Sequence, residues 1–245
     1  MKNKISVIIP TLNEERDIVD CIVSAKKISD DIVVVDSGSN DKTVTLAKQL
    51  GARVYVNRFV DFATQRNFAN SKTKHDWVFS MDADERVTDS LASEINALRS
   101  ESYDAYLIPR LNVIFNKEIK NTRWFPDKHL WLYNKKKGAW ENGLHEEFIT
   151  KGSVGSLNNH KIHYSHKSIS DFLKMTNNYS SIEAKSFKGE YSVFYHVWYP
   201  LRSFFGRYFY KRGFKDGMHG FVLSVLMAWY LSLIHISEPT RQAEI

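Results

Sequence analysis

Short apolar runs alternate with amphipathic stretches along the first hundred residues. The runs at 5–9, 32–35, 54–56 and 77–81 are rich in β-branched and aromatic residues, which is typical of buried strands. The first stretch between them places Ile18, Cys21, Ile22 and Ala25 on one helical face. This alternation predicts a parallel sheet whose strands are joined by helical crossovers.

Polar residues between the runs indicate where the helices begin and end. Asn13 is expected to cap the first helix, with Glu14, Glu15 and Asp17 in the favourable first turn. A second helix is predicted over about residues 42–50, and Gly51 stops it because glycine readily adopts the left-handed backbone conformation.

Carboxylates follow two of the predicted strands at the point where each strand ends. Asp36 ends the second strand, and Asp82 and Asp84 come directly after the run 77–81. Ligands of open α/β sheets bind at this edge, and carboxylate oxygens suit Mg²⁺ or Mn²⁺, which bridge the oxygens of a diphosphate. Taken alone, these acids are equally typical of solvated turns and helix caps.

Glycine-rich phosphate-binding motifs are missing from the sequence. Neither G-x-G-x-x-G nor a loop ending in Gly-Lys-Ser/Thr follows the first strand. A bound diphosphate therefore needs a metal on Asp84 and a cation such as Arg66, which lies in the amphipathic stretch 62–69. An arginine on the surface of a helix is an equally good interpretation of Arg66.

Three histidines recur at His160, His163 and His166. The segment reads as a strand, in which residues three apart face opposite sides, so a three-histidine zinc site is not expected. A single His163 that completes a metal shell or contacts a diphosphate is one interpretation, and a structural histidine at a strand end is the other.

Composition and charge limit which cellular compartment and which binding partners fit this chain. The one cysteine, Cys21, excludes a disulfide framework and favours a reducing compartment. The net charge of +6 comes from a basic surplus after residue 110. Because no nucleic-acid fold signature accompanies it, an anionic membrane surface or a phosphorylated glycolipid fits this surplus better than nucleic acid.

Residues 190–230 combine aromatic and basic side chains. This mixture suits the interface of a bilayer, whereas the apolar run 221–230 is too short to span one. A helical pair packed on the rest of the chain is the alternative. Residues 231–245 resemble the translation of a sequencing adapter, so we expect them to be non-native and without a role in fold or function.

Four ordered blocks carry a family resemblance: IIPTLNE at 8–14, VDSGSNDKT at 35–43, QRN at 65–67 and MDADER at 81–86. They resemble the nucleotide-sugar half of the inverting glycosyltransferases of family two, which have the GT-A fold. The motifs DADERV at 82–87, WFPD at 124–127, LHE at 144–146 and KRGFKDG at 211–217 extend the likeness to about residue 230. They resemble the lipopolysaccharide-core β-1,4-glucosyltransferase group.

The resemblance implies an α/β GT-A fold, with a Rossmann-like, mostly parallel sheet that has helices on both faces. Residues 1–109 would form the nucleotide-sugar-binding half, and 110–189 the acceptor-binding half of the same domain. Residues 190–230 would add a helical, membrane-associating segment.

The resemblance also implies a role for each site residue. Thr11, Glu14, Asp36, Arg66 and Asp82 would contact the nucleotide sugar. The metal, Mg²⁺ or Mn²⁺, would be held by Asp84 with help from Asp82 and His163. Glu146 would be the general base that takes the proton of the acceptor hydroxyl, and Asp127 is the second choice.

The expected enzyme is a metal-dependent hexosyltransferase that moves a sugar, glucose first, from a UDP-sugar to a glycolipid or core-oligosaccharide acceptor. It would act at the cytoplasmic face of the cell membrane as a peripheral protein. Two alternatives stay open. A polyprenyl-phosphate sugar transferase would need no base at Glu146, and a binding module without catalysis would not need the acids Asp82, Asp84 and Glu146.

Overall fold

The computed structural model describes residues 4–98, 102–141, 146–186 and 193–236. For residues 178–186, 193–196 and 233–236 it describes the backbone alone. Residues 142–145, which include the first two positions of the LHE motif, lie outside the described residues, as do 237–245.

Strands and helices alternate through the first hundred residues, as the apolar pattern predicts. The strands are β1 (Ile5–Thr11), β2 (Asp31–Asp36), β3 (Arg53–Val56), β4 (Trp77–Ser80), β5 (Glu85–Val87), β6 (Ala105–Ile114), β7 (Lys117–Ile119), β8 (Asp127–Asn134), β9 (Gly138–Glu141), β10 (Glu147–Thr150), β11 (Val154–Ser156) and β12 (Lys161–His166). The helices are α1 (Ile18–Ala25), α2 (Thr43–Gln49), α3 (Phe62–Lys72), α4 (Asp89–Ala97), α5 (Ile169–Ser186), α6 (Val193–Phe205) and α7 (Met218–Ile236).

The main sheet is mixed, and its parallel part carries the predicted nucleotide half. Its strand order is β3-β2-β1-β4-β8-β6-β12-β5, with β7 and β11 paired to β6. The pairs β1–β2, β1–β4 and β2–β3 are parallel, whereas β4–β8, β6–β8 and β5–β12 are antiparallel. Strands β9 and β10 form a separate antiparallel hairpin.

The chain divides into two compact units. Unit one contains residues 1–110 and 127–163, and unit two contains 111–126 and 164–245. This division follows packing and does not coincide with the predicted functional boundaries at 109, 189 and 230, which remain predictions.

Unit one has a continuous apolar core. Buried side chains of β1, β2 and β4 pack with the face of α1 formed by Ile18, Cys21, Ile22 and Ala25, all of which are fully buried. The predicted face of the first helix is thereby confirmed. Gly51 follows α2 with a φ of +79°, a conformation that glycine adopts without strain, as the sequence predicts.

The predicted start of the first helix is wrong. Asn13 does not cap it, because α1 begins at Ile18 with Asp17 at the N-cap position. Asn13 has a φ of +56°, and its side-chain oxygen accepts a hydrogen bond of 2.9 Å from the backbone N–H of Asn40. The backbone N–H of Glu15 donates to Asp41 at 3.1 Å. Residues 13–15 therefore join the loop after β1 to the loop after β2.

Unit two is mainly helical. Helix α7 packs against α5 and α6, and a small core contains Ile114, Ile119, Phe172 and Leu223. A π-helical turn at Gly206–Tyr210 and a 3-10 turn at Gly213–Asp216 connect α6 to α7. Within the described ranges, none of the helices combines the length and the apolar character that crossing a bilayer requires.

The KRGFKDG motif has a structural explanation within unit two. The buried carboxylate of Asp216 accepts hydrogen bonds from the backbone N–H groups of Lys120 and Asn121, at 3.3 and 2.9 Å. A Cβ on Gly213 would lie 2.4 Å from the Thr122 side chain, so this position requires glycine. The motif therefore binds the turn that precedes residue 124.

Helix α7 includes residues 231–236, the first part of the segment interpreted as adapter-derived. Leu, Ile and Ser residues are compatible with a helix whatever their origin. The non-native origin of 231–245 remains a prediction.

Candidate functional site

Three strands of unit one bring the predicted residues to one edge of the sheet. Thr11 pairs in register with Asp36, at the ends of β1 and β2. Strand β4 lies on the other side of β1, and the backbone N–H of Met81 donates to Ile8 at 3.1 Å. Because these strands are parallel, their carboxyl ends share an edge, and the turn Asp82-Ala83-Asp84 begins there. This turn is called the acidic turn below.

Asp36 is fully buried and shapes the loop that follows β2. Its carboxylate accepts hydrogen bonds from the backbone N–H groups of Gly38 and Ser39, at 2.9 and 2.8 Å, and from the Ser39 hydroxyl. The Thr11 hydroxyl lies 3.4 Å from the same carboxylate. The backbone N–H of Glu14 donates to the Thr43 hydroxyl at 2.7 Å. Contacts of Thr11, Glu14 and Asp36 with a nucleotide remain predictions.

Arg66 lies inside the protein and not on the surface of its helix. Helix α3 begins beside Asp61, whose carboxylate accepts a hydrogen bond of 2.7 Å from the N–H of Thr64. The Arg66 side chain is only 2% exposed. Its guanidinium lies 4.9 Å from the ring centre of Trp140 and 5.6 Å from that of Trp131. Cation–π attraction stabilises a charge buried in this way.

Each guanidinium nitrogen of Arg66 bonds to the protein. One terminal nitrogen donates to the Ser80 hydroxyl at 2.6 Å, and the other donates to Asp82 at 2.7 Å. Nε and this second nitrogen also donate to Oε1 of Glu146, at 3.2 and 3.1 Å. The structure therefore brings together three residues that the sequence analysis singled out. Arg66 contacts Asp82, which is 16 positions away in the sequence, and Glu146, which is 80 positions away.

Charge pairing outweighs burial in the pKa values of this cluster. Burial alone would raise the pKa of Asp82, but Arg66, Lys161 and His163 hold it well below its usual range. Burial alone would lower the pKa of Arg66, but Asp82 and Glu146 raise it. Asp82 and Arg66 are both charged at neutral pH.

Asp84 lies beside His163, which the sequence analysis names as a second candidate metal ligand. His163 Nε2 is 3.2 Å from Asp84 Oδ2. Burial opposes the charged imidazole, but the hydrogen bond and the negative charge of Asp84 raise the pKa of His163. Within the described ranges, no group of three or more His, Cys, Asp or Glu side chains is arranged to hold a metal.

A carboxylate and an imidazole side by side still fit a divalent cation that takes its other ligands from water and a diphosphate. Mg²⁺ is commonly bound by one or two carboxylates plus substrate phosphates. Asp82 is hydrogen-bonded to Arg66, so it fits a contact through water better than a direct metal bond.

Lys161 and Glu85 form a buried ion pair that the sequence analysis missed. Lys161 Nζ donates to Glu85 Oε2, which also accepts a hydrogen bond of 2.9 Å from the backbone N–H of Asp82. Burial lowers the pKa of Lys161 to about 8, although Glu85 opposes the shift. The Nζ atom also lies 3.5 Å from the ring centre of Trp131. Through Glu85, this ion pair is hydrogen-bonded to the backbone of the acidic turn.

A signal for this pair was present in the sequence. Lys161 and His163 are two residues apart on β12 and therefore share one face of the strand. If that face is buried, a lysine on it requires an acidic partner. The partner Glu85, 76 residues away, could not be identified from spacing.

Asp127 is more completely engaged than Glu146. Arg110 donates to Asp127 Oδ2 through two nitrogens, at 2.8 and 2.7 Å, and the His129 ring lies 2.8 Å from Oδ1. Burial opposes ionisation, but His129 and Arg110 hold the pKa of Asp127 well below its usual range. Among the described residues, Oε2 of Glu146 has no hydrogen-bond partner. Both oxygens of Asp127 are therefore engaged, whereas one oxygen of Glu146 is not, and the choice of Glu146 as the base remains a prediction.

Comparison with known proteins shows which protein family this chain resembles. Residues 6–156 match the model described as Glycosyl transferase family 2, which is more than half of the chain. An uncharacterized glycosyltransferase of Rickettsia typhi is 34% identical over 258 residues, covering 96% of this chain and 87% of that protein.

One more distant relative has a name that states its biosynthetic role. The lipopolysaccharide core biosynthesis glycosyltransferase LpsC of Rhizobium meliloti is 26% identical over 245 residues, covering 95% of this chain and 90% of that protein. A crystal structure of TarS from S. aureus has a TM-score of 0.47 at 18% identity, covering 88% of this chain and 46% of that chain.

Proposed function

The chain belongs to glycosyl transferase family 2, and from this membership we propose that it transfers glucose from UDP-glucose to a hydroxyl of a lipid-linked or lipopolysaccharide-core glycan. The family confirms the resemblance found in the sequence and makes the chain a hexosyltransferase. The α/β GT-A fold class is also confirmed, with a mixed sheet. The sugar, the acceptor and the metal belong to the proposal.

The acidic turn carries the proposal. It places Asp84 beside His163 and connects Asp82 through Arg66 to Glu146, all at the carboxyl ends of the parallel strands. A sugar transfer from a nucleoside diphosphate needs charge compensation for the leaving group and a base for the attacking hydroxyl. Both kinds of side chain lie here.

Each residue has a role in this reaction. Asp84 and His163 would hold Mg²⁺ or Mn²⁺, and the cation would supply positive charge to compensate the leaving diphosphate. Glu146 accepts the proton of the acceptor hydroxyl on Oε2, while Arg66 keeps Oε1 in place. The hydroxyl attacks from the face opposite the diphosphate, so the anomeric configuration inverts. Thr11, Glu14, Asp36 and Asp82 contact the nucleotide.

The acceptor class is supported by one relative and one residue. The name of LpsC assigns that protein to lipopolysaccharide core biosynthesis. An acceptor hydroxyl needs a base, and the contact of only one Glu146 oxygen with Arg66 supports this role for Glu146. A polyprenyl phosphate is already an anion, so an enzyme that glycosylates it would not depend on Glu146.

The decisive experiment identifies the donor and the product. Purified protein is incubated with Mn²⁺, a panel of UDP-sugars and either core oligosaccharide or polyprenyl phosphate, and the products are analysed by mass spectrometry and NMR. We expect transfer from UDP-glucose to the oligosaccharide with inversion of configuration. Transfer only to polyprenyl phosphate, or no transfer from any UDP-sugar, would overturn the proposal.

We also propose that unit two binds the anionic, cytoplasmic face of the cell membrane. An open cavity of about 660 Å³ is lined by Trp198, Leu201, Arg202, Phe205, Gly206, Phe209 and Tyr210. The large apolar side chains among them are exposed, and Lys211, Arg212 and Lys215 follow as exposed cations. Aromatic and basic side chains together suit the interface of an anionic bilayer.

Sedimentation with vesicles that contain phosphatidylglycerol tests this attachment. The double variant Arg202→Glu/Lys211→Glu should weaken binding at low salt by about thirtyfold or more, since each basic residue contributes about 1 kcal/mol near an anionic leaflet. The exposed pair Lys26→Glu/Lys48→Glu in unit one is the matched control and should bind as the wild type does. A wild-type protein that remains in the supernatant would refute the attachment. Arg207 is unsuitable for this test, because it donates to the Thr122 carbonyl at 2.9 Å.

A further inference from the structure

Arg66 and its two acidic partners differ in how much solvent they meet. The side chain of Arg66 is 2% exposed, whereas the side chains of Asp82 and Glu146 are 35% and 17% exposed. The cation therefore lies beneath the carboxylates, and the carboxylates form the surface that a substrate can reach. A group placed beneath the surface can act on a substrate only through the groups above it.

We propose that Arg66 is a positioning residue that holds Glu146 at the acidic turn, and that it does not contact the sugar donor. This inference rests on the proposed function, in which Glu146 is the base. One terminal nitrogen of Arg66 contacts both Asp82 and Glu146, at 2.7 and 3.1 Å, so the two acids share a single donor atom. Their separation is fixed by the guanidinium.

Hydrogen bonds at both ends of the guanidinium and two indole rings restrain Arg66. Ser80 binds the terminal nitrogen on the opposite side from Glu146, and the indoles of Trp131 and Trp140 lie beside the guanidinium. Its three nitrogens are all hydrogen-bonded to protein oxygens. Four of its five N–H groups donate to protein oxygens and the side chain is only 2% exposed, so little of the guanidinium is open to a donor diphosphate.

A lysine cannot reproduce this arrangement. Its ammonium is a single charged point on a flexible stem, whereas the planar guanidinium donates in several fixed directions. Arg66→Lys therefore keeps the positive charge beside Asp82 and loses the simultaneous contacts to Ser80 and Glu146. A change of Glu146 position should lower the rate of the proton-transfer step and leave nucleotide binding intact.

The experiment is a double-mutant cycle on the full-length chain, with Arg66→Lys, Glu146→Gln and the combination. UDP affinity is measured with Mn²⁺ by calorimetry, and kcat and KM are measured for transfer. We expect Arg66→Lys to lower kcat by about tenfold to a hundredfold, because small misplacements of a reacting group cost that much. UDP affinity should stay within about twofold, and Arg66→Lys should add less than about threefold once Glu146 is Gln.

Arg53→Lys is the matched control. Arg53 also donates through Nε and a terminal nitrogen to a buried carboxylate, that of Asp31, at 3.0 and 2.7 Å, but at the other edge of the sheet. Its kcat should equal that of the wild type. An unchanged kcat in Arg53→Lys would show that loss of a two-nitrogen ion pair does not by itself slow the reaction. The fall in kcat of Arg66→Lys could then be attributed to the changed position of Glu146.

Two outcomes would overturn the inference. A fall of about tenfold or more in UDP affinity for Arg66→Lys would mean that Arg66 contacts the donor. Effects on kcat that multiply in the double variant would mean that Arg66 does not act through Glu146. If Arg66→Lys does not fold, Ser80→Ala decides instead, since it removes one restraint on the guanidinium and should show the same pattern with a smaller loss of kcat.

A failure of the proposed function would look different. In that case the wild-type protein would transfer no sugar at all, whereas a comparison of the UDP affinities of the wild type and Arg66→Lys would still show whether Arg66 contacts the nucleotide.

Discussion

The two edges of the parallel sheet in unit one each contain an arginine paired with a carboxylate, but the burial is reversed. At the edge where β2 begins, Asp31 is 2% exposed, while its partners Arg53 and Lys74 are 31% and 62% exposed. At the opposite edge Arg66 is buried and its acids Asp82 and Glu146 are partly open. An ion pair alone therefore does not indicate a functional site.

The difference lies in which partner faces solvent. Asp31 accepts hydrogen bonds from the Ser6 hydroxyl and the Lys74 backbone N–H. Its carboxylate therefore connects neighbouring segments of the chain and has a structural role. The acids above Arg66 keep part of their surface open at the edge where α/β sheets bind ligands. We therefore expect substitutions at the two edges to affect different properties of the protein.

The largest effect is expected for Glu146→Gln. The amide can still accept a hydrogen bond from Arg66 but cannot take a proton, so transfer should fall by roughly a hundredfold or more. UDP affinity should remain near that of the wild type. Steady-state kinetics at saturating acceptor measures the change.

Glu141→Gln provides the control for this substitution. Glu141 is exposed at the end of the neighbouring strand β9, so its neutralisation should leave turnover unchanged. Full turnover of Glu146→Gln would instead transfer the role of base to Asp127, or to no protein group.

At the opposite edge, Asp31→Ala should affect stability and not catalysis. Removing one partner of a buried ion pair leaves the other groups unsatisfied, and we expect the free energy of unfolding to fall by about 2–3 kcal/mol. Urea unfolding measures this loss, with the exposed neighbour Asp30→Ala as control. A folded Asp31→Ala protein with impaired kcat would contradict the separation of the two edges.

A smaller effect concerns pH. Burial opposes the charge of Asp31, but the Ser6 hydroxyl, the Lys74 N–H and Arg53 lower its pKa in the folded state. The stabilisation is therefore complete above the unfolded pKa of about 3.9 and is lost as the pH falls through the lower, folded value. The stability difference between the wild type and Asp31→Asn should shrink below about pH 4. A difference that stays constant from pH 7 to pH 3 would refute this assignment.

Local pattern was sufficient for the first part of unit one, up to the end of β4. Alternating apolar runs predicted β1 to β4 and the helices between them, because buried strands need continuous β-branched residues. The position of Asp82 and Asp84 after β4 followed from the same pattern. Asn13 was misjudged because its side chain bonds to Asn40 in another loop, which local capping preferences do not include.

Long-range pairing could not be predicted from the residues. The sequence left open whether Arg66 is on the helix surface, since its burial depends on Trp131 and Trp140, more than sixty positions away. The ion pair of Lys161 with Glu85 depends in the same way on β12 pairing with β5. Such contacts are set by sheet topology, which spacing along the chain does not encode.

Binding of UDP in the presence and absence of Mn²⁺ tests most directly whether the open edge is the nucleotide-sugar site. The wild type should bind UDP more tightly with Mn²⁺, and Asp84→Asn should lose this gain while keeping its thermal stability, because an amide lacks the charge that the cation needs. Asp89→Asn, at an exposed position on α4, is the control and should retain the gain. An undiminished, Mn²⁺-dependent UDP affinity in Asp84→Asn would contradict the account.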